Sequence, residues 1–108
     1  MPIASPRYSF TRSAIDGAPD DPGVYALYKG GELVYYGAAS GAATILSRLL
    51  LHFAGVVEPR DPTHYAWEIC RDPAARHAEL LREHERALGR LPSVNALHGA
   101  KRSNAGSA

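Results

Sequence analysis

The sequence predicts a small α+β domain, in which a three-stranded antiparallel or mixed sheet is flanked by helices. Strand-like runs rich in tyrosine and β-branched residues occur at 24–28, 33–36 and 64–70. Two helix-like segments with recognisable caps follow the second and third of these runs. The length of 108 residues suits one domain with a single hydrophobic core.

Composition and charge narrow the classes of protein that fit. With 45% hydrophobic residues, 21% charged residues and a net charge of +1, the chain gives no general reason to bind a polyanion, so any nucleic-acid contact must come from locally clustered arginines. One cysteine excludes an internal disulfide. No apolar segment has membrane-spanning length, and the first ten residues lack the apolar core of a secretory signal. A cytoplasmic protein without a membrane partner is expected, of unspecified oligomeric state.

Three regions are expected along the chain. Residues 1–20 form a proline-containing N-terminal arm, residues 21–98 form the folded domain, and residues 99–108 form a flexible tail of small and weakly basic residues. The arm is expected to become ordered near residues 8–10 or immediately before the first strand.

The first predicted unit of the domain is a β-hairpin over residues 23–37. Two strand-like runs flank Gly30-Gly31, which supplies the positive φ that a tight connection needs. Tyr25 and Tyr35 are separated by an even number of residues, but turn geometry decides which side chains share a face. The sequence therefore permits a pair of neighbouring phenols without requiring one.

The first predicted helix begins after Thr44 as its N-cap and ends at Gly55. A helical wheel places Arg48 and His52 on one face and an apolar set on another, namely Leu46, Leu49, Leu50 and Phe53. We expect the apolar face to be buried and Arg48 with His52 to lie on a different side.

A third strand and a second helix complete the predicted domain. The strand covers residues 64–70, where larger side chains alternate with smaller or polar ones. Asp72 caps the helix, Pro73 occupies its first position, and Gly89 ends or loosens it. The predicted inward stripe of this helix is His77, Leu80, Leu81, His84, Leu88 and Leu91. Residues 91–95 are predicted to form a turn.

Two short motifs and two single residues, taken in order, resemble a known family. Gly23-Val24-Tyr25 and Tyr35-Tyr36-Gly37 are followed by Arg48 in the first helix and by Asn95 after a Pro-x-x spacer. This ordered set resembles the GIY-YIG nucleases over residues 22–95. Residues 35–39, 44–45, 48–49 and 52–55 also resemble a bacterial subgroup of that family that acts on single-stranded DNA.

The resemblance implies a DNA endonuclease that hydrolyses phosphodiester bonds with Mg²⁺ or Mn²⁺, with single-stranded DNA favoured over double-stranded DNA. The residues that it implies as catalytic are Tyr25, Tyr35, Arg48, His52 and Asn95. The tyrosines would act on the attacking water, and the planar fork of Arg48 would contact two phosphate oxygens. His52 would share the proton transfer or contact a neighbouring phosphate, and Asn95 would support the site.

The resemblance also implies a metal-binding glutamate on the second helix. Alignment on Leu80-Leu81 places His77 at that position, with Glu79 and Glu83 as the nearest carboxylates. By the helix period neither glutamate projects naturally toward the sheet. A local shift of the helix would bring Glu79 into use, so the sequence leaves open which of His77, Glu79 and Glu83 serves the metal.

Every one of these residues also has a purely structural interpretation. Strand tyrosines usually pack in the core, a helix arginine is usually solvated, histidines often bond to backbone groups, and an asparagine after proline often caps a turn. Three functions are therefore compatible with the sequence: a metal-dependent DNA endonuclease, a catalytically weakened nucleic-acid-binding module in which His77 replaces the carboxylate, and a structural domain without a nucleic-acid role.

Overall fold

The computed structural model of the protein describes residues 2–98. In chain order the elements are β1 (Tyr8–Ser9), α1 (Arg12–Ile15), β2 (Gly23–Lys29), β3 (Glu32–Ala39), α2 (Ile45–Phe53), β4 (His64–Ile69) and α3 (Pro73–Leu88). Residues 93–98 are also helical and are called the C-terminal helical segment below. The predicted tail at residues 99–108 lies outside the described residues.

The four strands form one antiparallel sheet in the order β1-β4-β2-β3. This confirms the predicted α+β class, but the expected number of three strands is wrong. The additional strand is β1, in which Tyr8 is opposite Tyr65 and Ser9 is opposite His64. A strand of two residues contains no repeat of hydrophobic alternation, so its sequence gives no strand signal.

The N-terminal arm contributes directly to the hydrophobic core. Thr11 caps α1 by accepting a hydrogen bond from the backbone N–H of Ala14, and Ile15 is fully buried. The Tyr65 hydroxyl donates to the backbone oxygen of Ala14 at 2.7 Å. These contacts fix α1 against the sheet.

The predicted hairpin is formed by β2 and β3, and its register settles the relation between the two tyrosines. Tyr25 is opposite Gly37 and Leu27 is opposite Tyr35. Since side chains alternate along a strand, Tyr25 and Tyr35 lie on the same face of the sheet. Their ring centroids are 6.2 Å apart.

The two faces of the sheet carry different helices. On the first face, α1 and α2 cover a cluster that includes Ile15, Tyr25, Leu27, Leu49 and Tyr65. On the second face, α3 covers a cluster that contains Val24, Ala26, Tyr36, Ala66 and Leu80. The aromatic pair therefore belongs to the side of the sheet on which α2 packs.

Helix α2 begins as predicted, but it presents a different face to the sheet. Thr44 caps it through a reciprocal pair of hydrogen bonds with Ser47. The prediction that His52 lies away from the buried face is wrong, because His52 is fully buried whereas Phe53 is 41% exposed. Ile45, Leu49 and His52 follow the i, i+4, i+7 spacing, and this line faces the sheet.

Helix α3 has the predicted ends, with Asp72 as N-cap, Pro73 in the first turn and Gly89 in the left-handed conformation at its C-terminus. Of the side chains predicted to face inward on this helix, Leu80 is buried, but Leu88 is 56% exposed. At 16 residues α3 is the longest helix among residues 2–98. Among residues 2–98 no helix is both long and apolar enough to cross a membrane.

The turn predicted at residues 91–95 is wrong, because the C-terminal helical segment begins within it. The backbone N–H of Ala96 donates to the oxygen of Pro92 at 2.9 Å, which closes its first turn. Proline fixes a φ value that suits the start of a helix, and this outweighs the turn preference of the surrounding serine and asparagine. The segment carries Asn95 to the edge of β3.

Candidate active site

Gly23 and Gly37, the glycines of the two short motifs, make room for close packing. A Cβ atom at Gly37 would lie 2.2 Å from Cζ of Tyr25, so the tyrosine ring rests directly on the glycine backbone. A Cβ atom at Gly23 would lie 2.2 Å from the backbone oxygen of Glu68 on the adjacent strand β4. Gly37 therefore positions the Tyr25 ring, and Gly23 permits the close approach of β4.

Tyr25 and His52 form a buried hydrogen-bonded pair. The Tyr25 hydroxyl lies 2.9 Å from Nε2 of His52, and Nδ1 of His52 lies 3.1 Å from the backbone oxygen of Pro59. A carbonyl oxygen can only accept, so Nδ1 carries the proton and donates it. Burial lowers the pKa of His52 to about 4, so the imidazole is neutral at pH 7 and Nε2 accepts from Tyr25.

The two tyrosines differ in their access to solvent. Tyr25 is fully buried, and burial raises its pKa above the ordinary value; a negative charge on Tyr35 would raise it further, whereas the nearby Arg48 lowers it. Tyr35 is only half-buried, and its ring centroid lies 5.5 Å from that of His52. Tyr35 is thus the phenol at the surface, and Tyr25 lies beneath it as a protonated donor.

Arg48 supplies the positive charge of this group. Its Nε atom is buried and has no hydrogen-bond partner among the described residues. Its charge also acts on both Tyr25 and His52 and lowers the pKa of each. A buried guanidinium N–H without an acceptor is rare in folded proteins, and an anionic oxygen would satisfy it. We call Tyr25, Tyr35, Arg48 and His52 the site cluster.

Asn95 does not join the site cluster but completes the edge of the sheet beside it. Its side-chain oxygen accepts from the Tyr36 backbone N–H at 2.8 Å, and its side-chain nitrogen donates to the Tyr36 oxygen at 3.0 Å. The amide thus pairs with both backbone groups of one residue in the edge strand β3, as another strand would. It fixes the backbone next to Tyr35.

The three candidate metal ligands on α3 lie apart from the site cluster. His77 donates from Nε2 to the Tyr36 backbone oxygen at 2.9 Å. Glu79 forms an ion pair with Arg76, which also binds Glu68 on β4. Glu83 lines a groove on the α3 side of the sheet, next to side chains that include Tyr36 and His84.

The donor set that a divalent cation would need is not assembled from these residues. Within residues 2–98 no group of three or more histidine, cysteine, aspartate or glutamate side chains could hold a metal ion. Hard cations such as Mg²⁺ take carboxylate oxygens as their protein ligands. Among residues 2–98, a ligand group of three or more such side chains is therefore not preassembled at the site cluster.

One neighbour of the site cluster was not found from the sequence. The His98 ring packs edge-on against Tyr35, with centroids 5.5 Å apart and an interplanar angle of 72°. Because the sequence predicted a turn at 91–95, Asn95 and His98 were not expected to lie on the same side of a helix. The signal that could have found it is Pro92 as a helix start, which places residues 95 and 98 on the same side of the segment.

Compared with models of known protein families the chain matches none, and no curated protein matches it significantly.

Proposed function

We propose that the protein is a nuclease that hydrolyses phosphodiester bonds of DNA, with single-stranded DNA as the favoured form. The observation that carries the proposal is the Arg48 Nε atom, buried beside Tyr25 without an acceptor among the described residues. A nonbridging phosphate oxygen is an acceptor that matches its charge and geometry. The resemblance of residues 22–95 to the GIY-YIG nucleases supports the same assignment.

The proposed reaction is in-line attack of water on phosphorus. Arg48 binds nonbridging oxygens and stabilises the charge that develops on them. Tyr35, the phenol at the surface, orients the attacking water. As the water oxygen bonds to phosphorus, the bond from phosphorus to the opposite bridging oxygen breaks, and its electron pair leaves with that oxygen, which is then protonated. The proton of the attacking water passes to Tyr35, the Tyr35 proton to Tyr25, and the Tyr25 proton to Nε2 of His52. The resulting imidazolium keeps its Nδ1 hydrogen bond to the Pro59 oxygen.

The raised pKa of Tyr25 favours this relay over a tyrosinate that acts alone. Burial keeps the phenol protonated at pH 7, so Tyr25 can accept a proton only while it passes its own proton on. His52 is neutral and presents an unprotonated Nε2 to it at 2.9 Å. Asn95 supports the reaction indirectly, because it fixes the β3 backbone beside Tyr35.

The resemblance also implies Mg²⁺ or Mn²⁺ as cofactor. When bound at a nuclease site, such an ion stabilises phosphoryl charge and activates water. Glu79 is paired with Arg76 and Glu83 lines the groove beside α3, so the steps proposed above are assigned to the protein's own groups.

A second candidate function is a nucleic-acid-binding module without efficient turnover. His77 stands where the resemblance implies a glutamate, and it is engaged as a donor to the Tyr36 backbone oxygen. This module would keep the Arg48 phosphate contact and lose the reaction. It predicts binding that weakens with salt, without cleavage.

Cleavage of end-labelled oligonucleotides tests both candidates. Wild-type protein, Arg48→Met and Arg82→Met are incubated with single-stranded or double-stranded DNA in EDTA, Mg²⁺ or Mn²⁺, and binding is measured in parallel. Arg82 is exposed on α3 and serves as the matched control. We expect the wild type and Arg82→Met to cut, and Arg48→Met to lose about 100-fold or more in rate.

The outcomes separate the two candidates. Salt-dependent binding without cleavage by the wild type selects the module. Unchanged cleavage by Arg48→Met, or neither binding nor cleavage by folded wild-type protein, rejects the assignment.

A further inference from the structure

His98 is the residue next to the site cluster that the proposed reaction has not used. It lies in the C-terminal helical segment, with its ring edge-on against Tyr35. It is half-buried, so one part of it contacts the protein and another part reaches the surface. His98 is also close enough to be one of the electrostatic influences on His52.

The position of His98 is fixed by the edge of the sheet. Asn95 binds both backbone groups of Tyr36, and residues three apart lie on the same side of a helix. The segment therefore brings Asn95 and His98 together to β3, with one against the Tyr36 backbone and the other against the Tyr35 ring. This gives Asn95 a second role, as a positioning residue for His98.

The proposed reaction requires a proton donor for the leaving oxygen, and the phenols of the site cluster are already committed, because Tyr35 and Tyr25 pass on the proton of the attacking water. The leaving oxygen departs with an electron pair, and protonating it is worth about 100-fold or more in rate. In the proposed reaction the Arg48 guanidinium is committed to the nonbridging phosphate oxygens. His52 is bonded at both nitrogens, with Pro59 and with Tyr25.

Two titratable groups on α3 are engaged elsewhere. His77 donates its Nε2 proton to the Tyr36 oxygen, and Glu79 is paired with Arg76. Among the described residues, the structure gives His98 a ring contact and no hydrogen bond. His98 is the histidine left to exchange a proton with a bound substrate.

We propose that His98 is the general acid of the reaction and protonates the leaving oxygen of the DNA strand. As the bond from phosphorus to that oxygen breaks, its electron pair passes to the oxygen, which takes a proton from the His98 imidazolium. The products are a phosphate monoester end and a hydroxyl end, and neutral His98 regains its proton from solvent. This inference rests on the proposed nuclease function.

A change of leaving group tests the role. Two oligonucleotides are made in which sulfur replaces one or the other bridging oxygen of a single linkage, because a thiolate leaves without prior protonation. His98→Asn, His98→Ala, Arg48→Met and wild-type protein are compared on these and on the all-oxygen strand. Circular dichroism checks that every variant is folded.

The expected pattern is specific to an acid. His98→Asn and His98→Ala should cut the oxygen linkage about 100-fold more slowly and should cut one of the sulfur linkages within about threefold of wild type. Arg48→Met should be slow on all three substrates.

Other patterns overturn the inference in distinguishable ways. If the His98 variants lose equal cleavage rate on the oxygen and sulfur linkages, His98 has a structural role. If His98→Asn cuts the oxygen linkage at the full rate, His98 has no role in the reaction. In both cases the nuclease proposal stands. If folded wild-type protein cuts none of the substrates, the nuclease proposal and this inference fail together.

Discussion

The Tyr25 hydroxyl donates to Nε2 of His52 across 2.9 Å, and neither side chain reaches solvent. The pair joins strand β2 to helix α2 through the core, and the Pro59 oxygen holds the other imidazole nitrogen. A neutral histidine is required for this arrangement, because a protonated Nε2 could not accept from the phenol. The stability of the fold is thereby coupled to the ionisation of one residue.

The first prediction is that stability falls with acid. The pKa of His52 is about 6.5 when unfolded and about 4 when folded, so between these values the unfolded state binds more protons. The contribution of His52 to the free energy of unfolding should be complete above about pH 7. It should decrease as the pH is lowered to 4. The loss from this residue should be at most about 3 kcal/mol, measured by urea denaturation at successive pH values.

His52→Gln and His64→Gln separate this effect from general acid denaturation. His64 lies at the start of β4 and bonds through its side chain to its neighbour Thr63. We expect His52→Gln to flatten the slope between pH 7 and 4, and His64→Gln to retain the wild-type slope. A wild-type slope in His52→Gln would contradict the assigned ionisation.

Much of this arrangement could be predicted from the sequence, because local signals determine it. The hairpin around Gly30, the Thr44 and Asp72 caps and the Gly89 helix end depend on residues close together in the chain. The burial of His52 could not be predicted, because it depends on a tyrosine from another element. A helical wheel ranks the faces of α2 by apolar content alone, so it assigns a buried polar partner to the wrong side.

The contact between Asn95 and the edge of the sheet could not be predicted from the sequence either. Asn95 lies 59 positions from Tyr36 in the chain, and nothing local indicates that its amide pairs with that backbone. The sequence left two interpretations for Asn95, namely a supporting role at the site, which the resemblance implies, and a turn cap, which is a common role of asparagine. The Tyr36 backbone N–H and oxygen need a partner such as Asn95 because β3 lies at the edge of the sheet.

A second prediction concerns the glycine beneath the Tyr25 ring. Gly37→Ala places a methyl group where the ring now lies, so Tyr25 must move away from His52. We expect the free energy of unfolding to fall by about 1–3 kcal/mol. Gly31→Ala is the matched control, since a Cβ atom there meets nothing within 4 Å. Similar unfolding curves for the two variants would mean that the Tyr25 ring does not require Gly37.

A third prediction separates stability from binding at Arg48. Its buried Nε atom has no acceptor among the described residues, so Arg48→Met removes an unsatisfied buried donor while it keeps much of the side-chain volume. Thermal denaturation should show equal or higher stability, and fluorescence anisotropy should show at least tenfold weaker binding of a single-stranded oligonucleotide. A large loss of stability together with unchanged binding would assign Arg48 a structural role.

A fourth prediction tests the amide that completes the sheet edge. Asn95→Asp removes the donor to the Tyr36 oxygen and places a carboxylate against that carbonyl. The expected loss is about 1–3 kcal/mol of unfolding free energy, with faster hydrogen exchange at the Tyr36 amide. Ser93→Asp adds the same charge at an exposed position of the same helical segment and should change neither quantity. Unaltered exchange at Tyr36 in Asn95→Asp would remove Asn95 from its edge role.

The last prediction distinguishes the two candidate functions at His77. His77→Gln retains an N–H donor for the Tyr36 oxygen, whereas His77→Glu loses that donor and supplies the carboxylate that the family resemblance implies. His77→Glu should therefore be the less stable variant, by about 1–3 kcal/mol. If the protein is a weakened binding module, cleavage in Mg²⁺ or Mn²⁺ should arise or increase in His77→Glu and not in His77→Gln. If the wild type cuts efficiently and His77→Glu abolishes cutting, the module interpretation is wrong, because the histidine then serves the active enzyme by holding the β3 edge beside Tyr35.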